Sequence, residues 1–135
     1  MSQSRYLLDT NILSHLVKTP SGIVTERIAA VGEAHVCTSI IVACELRFGA
    51  AKKGSARLTL QLETILSAMT ILSLEEPVDH HYAEIRTFLH RIGQPIGHND
   101  LLIAAHARAL DLIMVTHNER EFSRVPGLTV ENWLV

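Results

Sequence analysis

Short apolar runs alternate along the chain with longer stretches of helical periodicity, and turn residues separate them. Residues 5–8 read as a strand and residues 10–18 as a helix. Thr19-Pro20-Ser21-Gly22 breaks that helix, and a second one runs through Ala30. Residues 34–38 form a second strand. Residues 39–53 have helical periodicity with a Gly54-Ser55 stop, residues 56–68 make a further helix and residues 70–74 a third strand. Pro77 opens the next helix at its favoured first position, and Gly93-Gln94-Pro95 ends it after about Ile92. Beyond a loop through Gly97, residues 99–110 form the most apolar helix, residues 112–116 a buried strand and residues 128–130 a last edge strand. Strands alternating with helices require crossover connections, which predicts an α/β fold: a mostly parallel central sheet flanked by helices on both faces.

Composition narrows this picture. The chain has 135 residues, 47% of them hydrophobic, enough for one domain over residues 1–135 with a core of its own. Its longest apolar runs, 39–44 and 101–105, fall far below the ~20 residues of a membrane helix, so no membrane association is expected. The N-terminus reads straight into a strand, with no secretory leader. Cys37 and Cys44 lack metal-ligand or redox spacing and sit among apolar residues, which predicts two buried free thiols and a cytoplasmic protein. A net charge of −2 excludes coating of nucleic acid by bulk electrostatics. Residues 46–62 nevertheless carry Arg47, Lys52, Lys53 and Arg57 without one acid, while Glu75, Glu76, Asp79 and Glu84 cluster later. Two readings stay open for those bases: cations stabilising a helix C-terminus, or contacts to an RNA backbone.

Three carboxylates stand where chemistry is expected. Asp9 ends the first strand and precedes a helix, where open α/β sheets place their sites. Asp100 opens the most apolar helix, and Glu45 lies mid-helix among Ile40, Ile41, Val42, Ala43, Cys44, Leu46 and Phe48. Taken singly, Asp9 is a helix cap and Asp100 a first-turn charge complementing the helix dipole. Taken together, converging acids in a partly buried cavity repel one another unless a cation joins them. Mg²⁺ or Mn²⁺ suits such oxygen ligands, and phosphodiester hydrolysis suits such a site. A fourth polar element, Thr116-His117-Asn118-Glu119-Arg120-Glu121, follows the strand over 112–116. Thr116 is placed to hydrogen-bond a neighbouring carboxylate and Asn118 to orient water. The eight histidines show no zinc-ligand spacing and are read as surface or satisfied core residues.

Leu7-Leu8-Asp9-Thr10-Asn11, Ala43-Cys44-Glu45-Leu46-Arg47-Phe48-Gly49-Ala50, the stretch 93–110 around His98-Asn99-Asp100, and Val115-Thr116-His117-Asn118 with Glu121-Phe122 together resemble the PIN-domain ribonucleases, in particular the VapC toxins of bacterial toxin and antitoxin pairs. The resemblance spans almost the whole chain. It implies a PIN-type sheet, with Asp9 and Asp100 as metal-binding aspartates and Glu45 at the acidic helix position. Asn118 falls at or near a fourth polar position where many relatives carry aspartate. That departure leaves the fourth role open among Asn118, Glu119 and Glu121. The resemblance further implies Mg²⁺-dependent cleavage of RNA, transfer RNA among the targets, with Glu45 positioning or deprotonating the attacking water. It also implies a homodimer and a VapB-type antitoxin through which promoter DNA is reached only indirectly. Two competing readings are an aspartyl-phosphate phosphatase with Asp9 as nucleophile, disfavoured because Asn11 stands where a second acid is usual, and a catalytically silent protein-binding subunit.

Overall fold

Leu7, Leu8, Met114 and Val115 are wholly excluded from solvent, and the two strands that carry them, β1 (Tyr6–Leu8) and β4 (Ile113–Val115), lie side by side at the centre of the sheet. The computed structural model describes residues 3–135. In chain order, β1 is followed by α1 (Thr10–Lys18), α2 (Ile23–Val31), a 3-10 turn at Glu33–His35, β2 (Val36–Ser39), α3 (Ile40–Lys53), α4 (Ala56–Ser67) and β3 (Thr70–Leu72). Then come α5 (Val78–Arg91), α6 (His98–Ala109), β4, α7 (Glu119–Phe122) and β5 (Val130–Glu131).

The five strands are all parallel, in the order β3-β2-β1-β4-β5, with Leu7 opposite Cys37 and Leu8 opposite Val115. The chain moves outward from β1 through β2 to β3, then returns across the sheet to β4. Right-handed crossovers therefore put α1 to α4 on one face and α5 to α7 on the other. Packing reflects that division, with α1 meeting α2, α3 and α4 and α5 meeting α6, and it is bridged where α3 also meets α6. The strand order reverses between β1 and β4, so the crevice beyond their C-terminal ends is the place for a site.

The helices form where local chemistry favours them. In α1, Ile12, Leu13, Leu16 and Val17 share the inward face. Ser39 caps α3 by accepting from the Ile41 N–H, and Ser55 caps α4 by accepting from the Leu58 N–H. In α6, Ala104, Ala105 and Ala107 are fully buried, and such small side chains permit close approach to the sheet and α5. The segmentation expected from the sequence matches, with shifts at the ends and with the 3-10 turn and the short α7 in addition. Pro77 stands just before α5 instead of inside it, α6 starts at His98, and the last strand lies at Val130–Glu131. Gly54 closes α3 with a left-handed backbone (φ 65°) in open space. Gly54→Ala should therefore cost about 1 kcal/mol in urea unfolding, from the left-handed conformation alone.

One core assignment is corrected. Cys37 is buried, and burial pushes its thiol up to about 11, but Cys44 is exposed. Ile40, Cys44 and Phe48 follow a four-residue spacing that turns one stripe of α3 to solvent, with Phe48 68% exposed. The apolar surroundings read for Glu45 are thus partly a surface stripe. Among the described residues, no helix is long and apolar enough to cross a membrane.

Candidate active site

Asp9 is fixed before it meets any ligand. Its backbone N–H donates to the Val115 carbonyl (2.9 Å), which continues the β1–β4 pairing by one residue. Its Oδ1 accepts from the Thr10 N–H (2.8 Å) and its Oδ2 from the Thr116 hydroxyl (2.7 Å). The side chain is only 3% exposed. Thr116, fully buried just past β4, also accepts from the Asn118 N–H (3.0 Å), so one hydroxyl links the carboxylate to the loop that follows.

Glu45 reaches the same place from α3. Its Oε1 accepts from the Thr10 hydroxyl (2.6 Å) and its Oε2 from the Asn99 side-chain amide (3.4 Å). Asp100 stands in the first turn of α6 and hydrogen-bonds the Glu121 carboxyl. Glu121, on α7, accepts in addition from the Gly97 N–H (3.4 Å) and from the Asn118 side-chain amide. Four carboxylates from four elements thus gather at the point where the strand order reverses.

Their electrostatics carry the cost of that arrangement. Asp9 is held above its ordinary pKa, first by burial and then by the charges of Glu45 and Glu121, against the lowering effect of its hydrogen bonds from Thr116 and Thr10. Asp100 is raised from 3.8 to about 7, chiefly by burial, then by the hydrogen bond and charge of Glu121, then by Asp9 and Glu45. Among the described residues, no three His, Cys, Asp or Glu side chains stand in ready-made coordination geometry. The acids are held in place by hydroxyl and amide donors. The donor set is entirely hard oxygen with excess negative charge. That chemistry fits a divalent cation such as Mg²⁺ or Mn²⁺, and gives no soft ligand for zinc or copper.

The sequence-predicted acids Asp9, Glu45 and Asp100 converge. At the fourth position the roles divide: Asn118 donates its amide to Glu121, which brings the charge, while Glu119 turns to the Asn132 side chain. Thr10 and Asn99 give no signal in the sequence, because a hydroxyl and an amide next to acids read as ordinary helix-start residues. His98 and His117 are exposed, and His106 is the buried histidine, its Nδ1 paired with Ser39 Oγ (2.9 Å) and its pKa lowered mainly by burial. The four bases expected to contact RNA differ in their surroundings. Arg47 is engaged with Glu63, and Lys52 and Arg57 are exposed. Lys53 lines a groove of about 210 Å³ with Thr10, Ser14, Lys18 and Glu45.

Asp9 being wedged between two donors and nearly solvent-free also weighs against a phosphatase, whose nucleophilic oxygen needs an open line of approach. The linking role of Thr116 has a direct check. Thr116→Val keeps the shape, removes the donor to Asp9 and leaves the Asn118 N–H without its acceptor. Urea titration should show a loss of about 1–2 kcal/mol, and an unchanged midpoint would mean that the hydroxyl holds neither group.

The PIN domain family model matches residues 6–128. Ribonuclease VapC2 of Haemophilus influenzae is 39% identical over 132 residues, covering 96% of this chain and 98% of that protein. The tRNA(fMet)-specific endonuclease VapC of Shigella flexneri is 37% identical over 130 residues, covering 96% and 98%. Among solved structures, VapBC2 of Rickettsia felis bound to a DNA fragment from its promoter superposes with a TM-score of 0.89 at 35% identity, over 95% of this chain and 98% of that one. With this family match, these identities and this shared fold, the chain belongs to the PIN-domain family, among ribonucleases of the VapC type.

Proposed function

We propose that the protein is a divalent-metal-dependent endoribonuclease, the toxin of a toxin and antitoxin pair. The observation that carries this reading is the gathering of Asp9, Glu45, Asp100 and Glu121 in one crevice, at a cost in charge repulsion that a purely structural cluster has no reason to bear. Asp9 and Asp100, with Glu121 beside them, would hold Mg²⁺, or Mn²⁺ in its place. When bound, such an ion activates water and shields the phosphate charge. The chain's own residues do the rest. Thr10 and Asn99 aim the Glu45 carboxylate, which positions the attacking water and takes its proton. Thr116 and the Thr10 N–H fix the rotamer of Asp9, and Asn118 steadies Glu121. Lys53 and Lys18 flank the Glu45 side of the crevice and offer charge to the RNA backbone.

Transfer RNA is the proposed substrate, supported by the name of the Shigella flexneri relative. A VapB-type antitoxin is the proposed partner, supported by the Rickettsia felis complex, with promoter DNA reached only through it. A homodimer is proposed as well, and the exposed Phe48 and Leu60 supply apolar surface for protein contacts. The test is to sequence cellular RNA ends after brief induction of the parent and of Asp9→Asn. New ends confined to transfer RNA and absent with the variant are the expected result; identical profiles would overturn the reading.

A further inference from the structure

A crevice holding four carboxylates repels the backbone it is meant to cut, so cations must flank it for a polyanion to stay. Lys18 and Lys53 stand on the Glu45 side. On the Glu121 side, Arg120 and Arg124 line an open cleft of about 570 Å³ together with Gly93, Gln94 and Pro95. Arg120 precedes Glu121 directly in α7, and the Gly97 N–H donates to Glu121 Oε1, so the cleft's two walls are both joined to a carboxylate of the crevice.

The two guanidinium groups are free of the ion pairs that hold Arg108 and Arg47. Arg108 is fully engaged: it donates to His81, to the Pro126 carbonyl and to Glu84. Arg47 is paired with Glu63. Among the described residues, Arg120 and Arg124 form no ion pair, and the hydrogen bond of Arg124 is a 3.4 Å contact to the Pro95 carbonyl. Each guanidinium carries five donors in a planar fork suited to phosphate oxygens. Pro95 is also a wall of a second cleft, of about 230 Å³, lined in part by Arg86, His90 and His98, so a strand leaving the first cleft meets further basic side chains.

We infer that the cleft between Arg120, Arg124 and residues 93–95 is a phosphate subsite, holding the RNA strand beside the bond that is cut. This rests on the ribonuclease reading above. It also places the main backbone contact on α7 and the turn just after it, outside the basic run over residues 46–62.

Anisotropy of a fluorescein-labelled single-stranded RNA, measured across a salt series with Asp9→Asn to prevent cleavage, tests it. Adding Arg120→Gln with Arg124→Gln should weaken binding at least ~10-fold and make the log–log salt slope shallower by about 1–1.5, at ~0.7 for each phosphate that is no longer neutralised. Arg120→Lys with Arg124→Lys, which keeps the charges, should retain most of the slope. Arg27→Gln, which removes a charge from an exposed position on α2, should leave both quantities unchanged. Unaltered affinity and slope in the double glutamine variant would overturn the subsite, as would an equal weakening by Arg27→Gln. Should the parent cut RNA while the double variant binds normally, only the subsite falls. Should the parent neither cut nor bind, the ribonuclease reading falls and the subsite with it. Melting curves of the glutamine and lysine pairs separate weaker phosphate binding from a damaged fold.

Discussion

Asp9→Asn should lower the rate of Mg²⁺-dependent RNA cleavage by at least ~10²–10³-fold, the scale on which preorganised electrostatic groups act, while the protein remains folded. The substitution keeps the shape of the side chain. Its carbonyl still accepts from the Thr10 N–H, and its amide donates to Thr116, whose hydroxyl rotor reverses to receive it. What disappears is the negative charge, and that charge is a cost to the folded state. Burial and the neighbouring Glu45 and Glu121 already hold Asp9 above the ordinary carboxylate range. The variant should consequently melt no lower than the parent without metal. Loss of cleavage with an equal or higher Tm assigns the effect to chemistry. Undiminished cleavage, in a preparation freed of contaminating nuclease, would remove Asp9 from the site.

The architecture was legible because its signals are local. Gly54-Ser55 stops one helix and starts the next, and Ser39 and Ser55 cap the helices they precede. The alternation of strands with helices then leaves a parallel sheet as the economical solution. The three acids Asp9, Glu45 and Asp100 could be singled out too, since Asp9 ends a buried strand, Glu45 interrupts an apolar stretch and Asp100 opens the most apolar helix. Less visible was whatever depends on rotation about a helix axis. Cys44 stands in an apolar stretch and yet faces solvent, since α3 has an exposed stripe through Ile40 and Phe48. For the same reason the basic run over 46–62 divides: Arg47 turns to Glu63, whereas Lys53 turns to the groove beside Glu45.

Position alone also could not rank Asn118, Glu119 and Glu121. A helix of four residues sends Glu119 toward Asn132 and Glu121 toward Asp100, and only the turn of that helix decides which acid completes the cluster. Thr10 and Asn99 were equally silent. Their hydrogen bonds to Glu45 span 35 and 54 residues of sequence, and nothing local announces them.

The affinity of the metal-free protein for Mg²⁺ should fall about tenfold for each pH unit below about 7, since a carboxylate must lose its proton before it can bind a cation. Asp100 is the group responsible. Burial is the largest cause of its rise to about 7, followed by the hydrogen bond and charge of Glu121 and the charges of Asp9 and Glu45. An unfolded aspartate ionises near 3.8, so between that value and about 7 the folded state holds the extra proton. Stability from this group is therefore present at low pH and lost as pH rises through that window, the reverse of a salt-bridged aspartate. Partial exposure screens the effect, leaving about 1–2 kcal/mol instead of the full value of the shift. Asp100→Asn should thus be more stable than the metal-free parent by that amount at about pH 8, and equal to it at about pH 4. Mg²⁺ should raise the parent's Tm strongly at pH 8 and hardly at pH 5, and should barely move the Tm of Asp100→Asn at either. Calorimetric titration with Mg²⁺ in two buffers of different ionisation enthalpy should register proton release at pH 6 and almost none at pH 8. An equal Mg²⁺ shift at both pH values, or one that survives in Asp100→Asn, would separate Asp100 from the cation and leave its proton a private matter between it and Glu121.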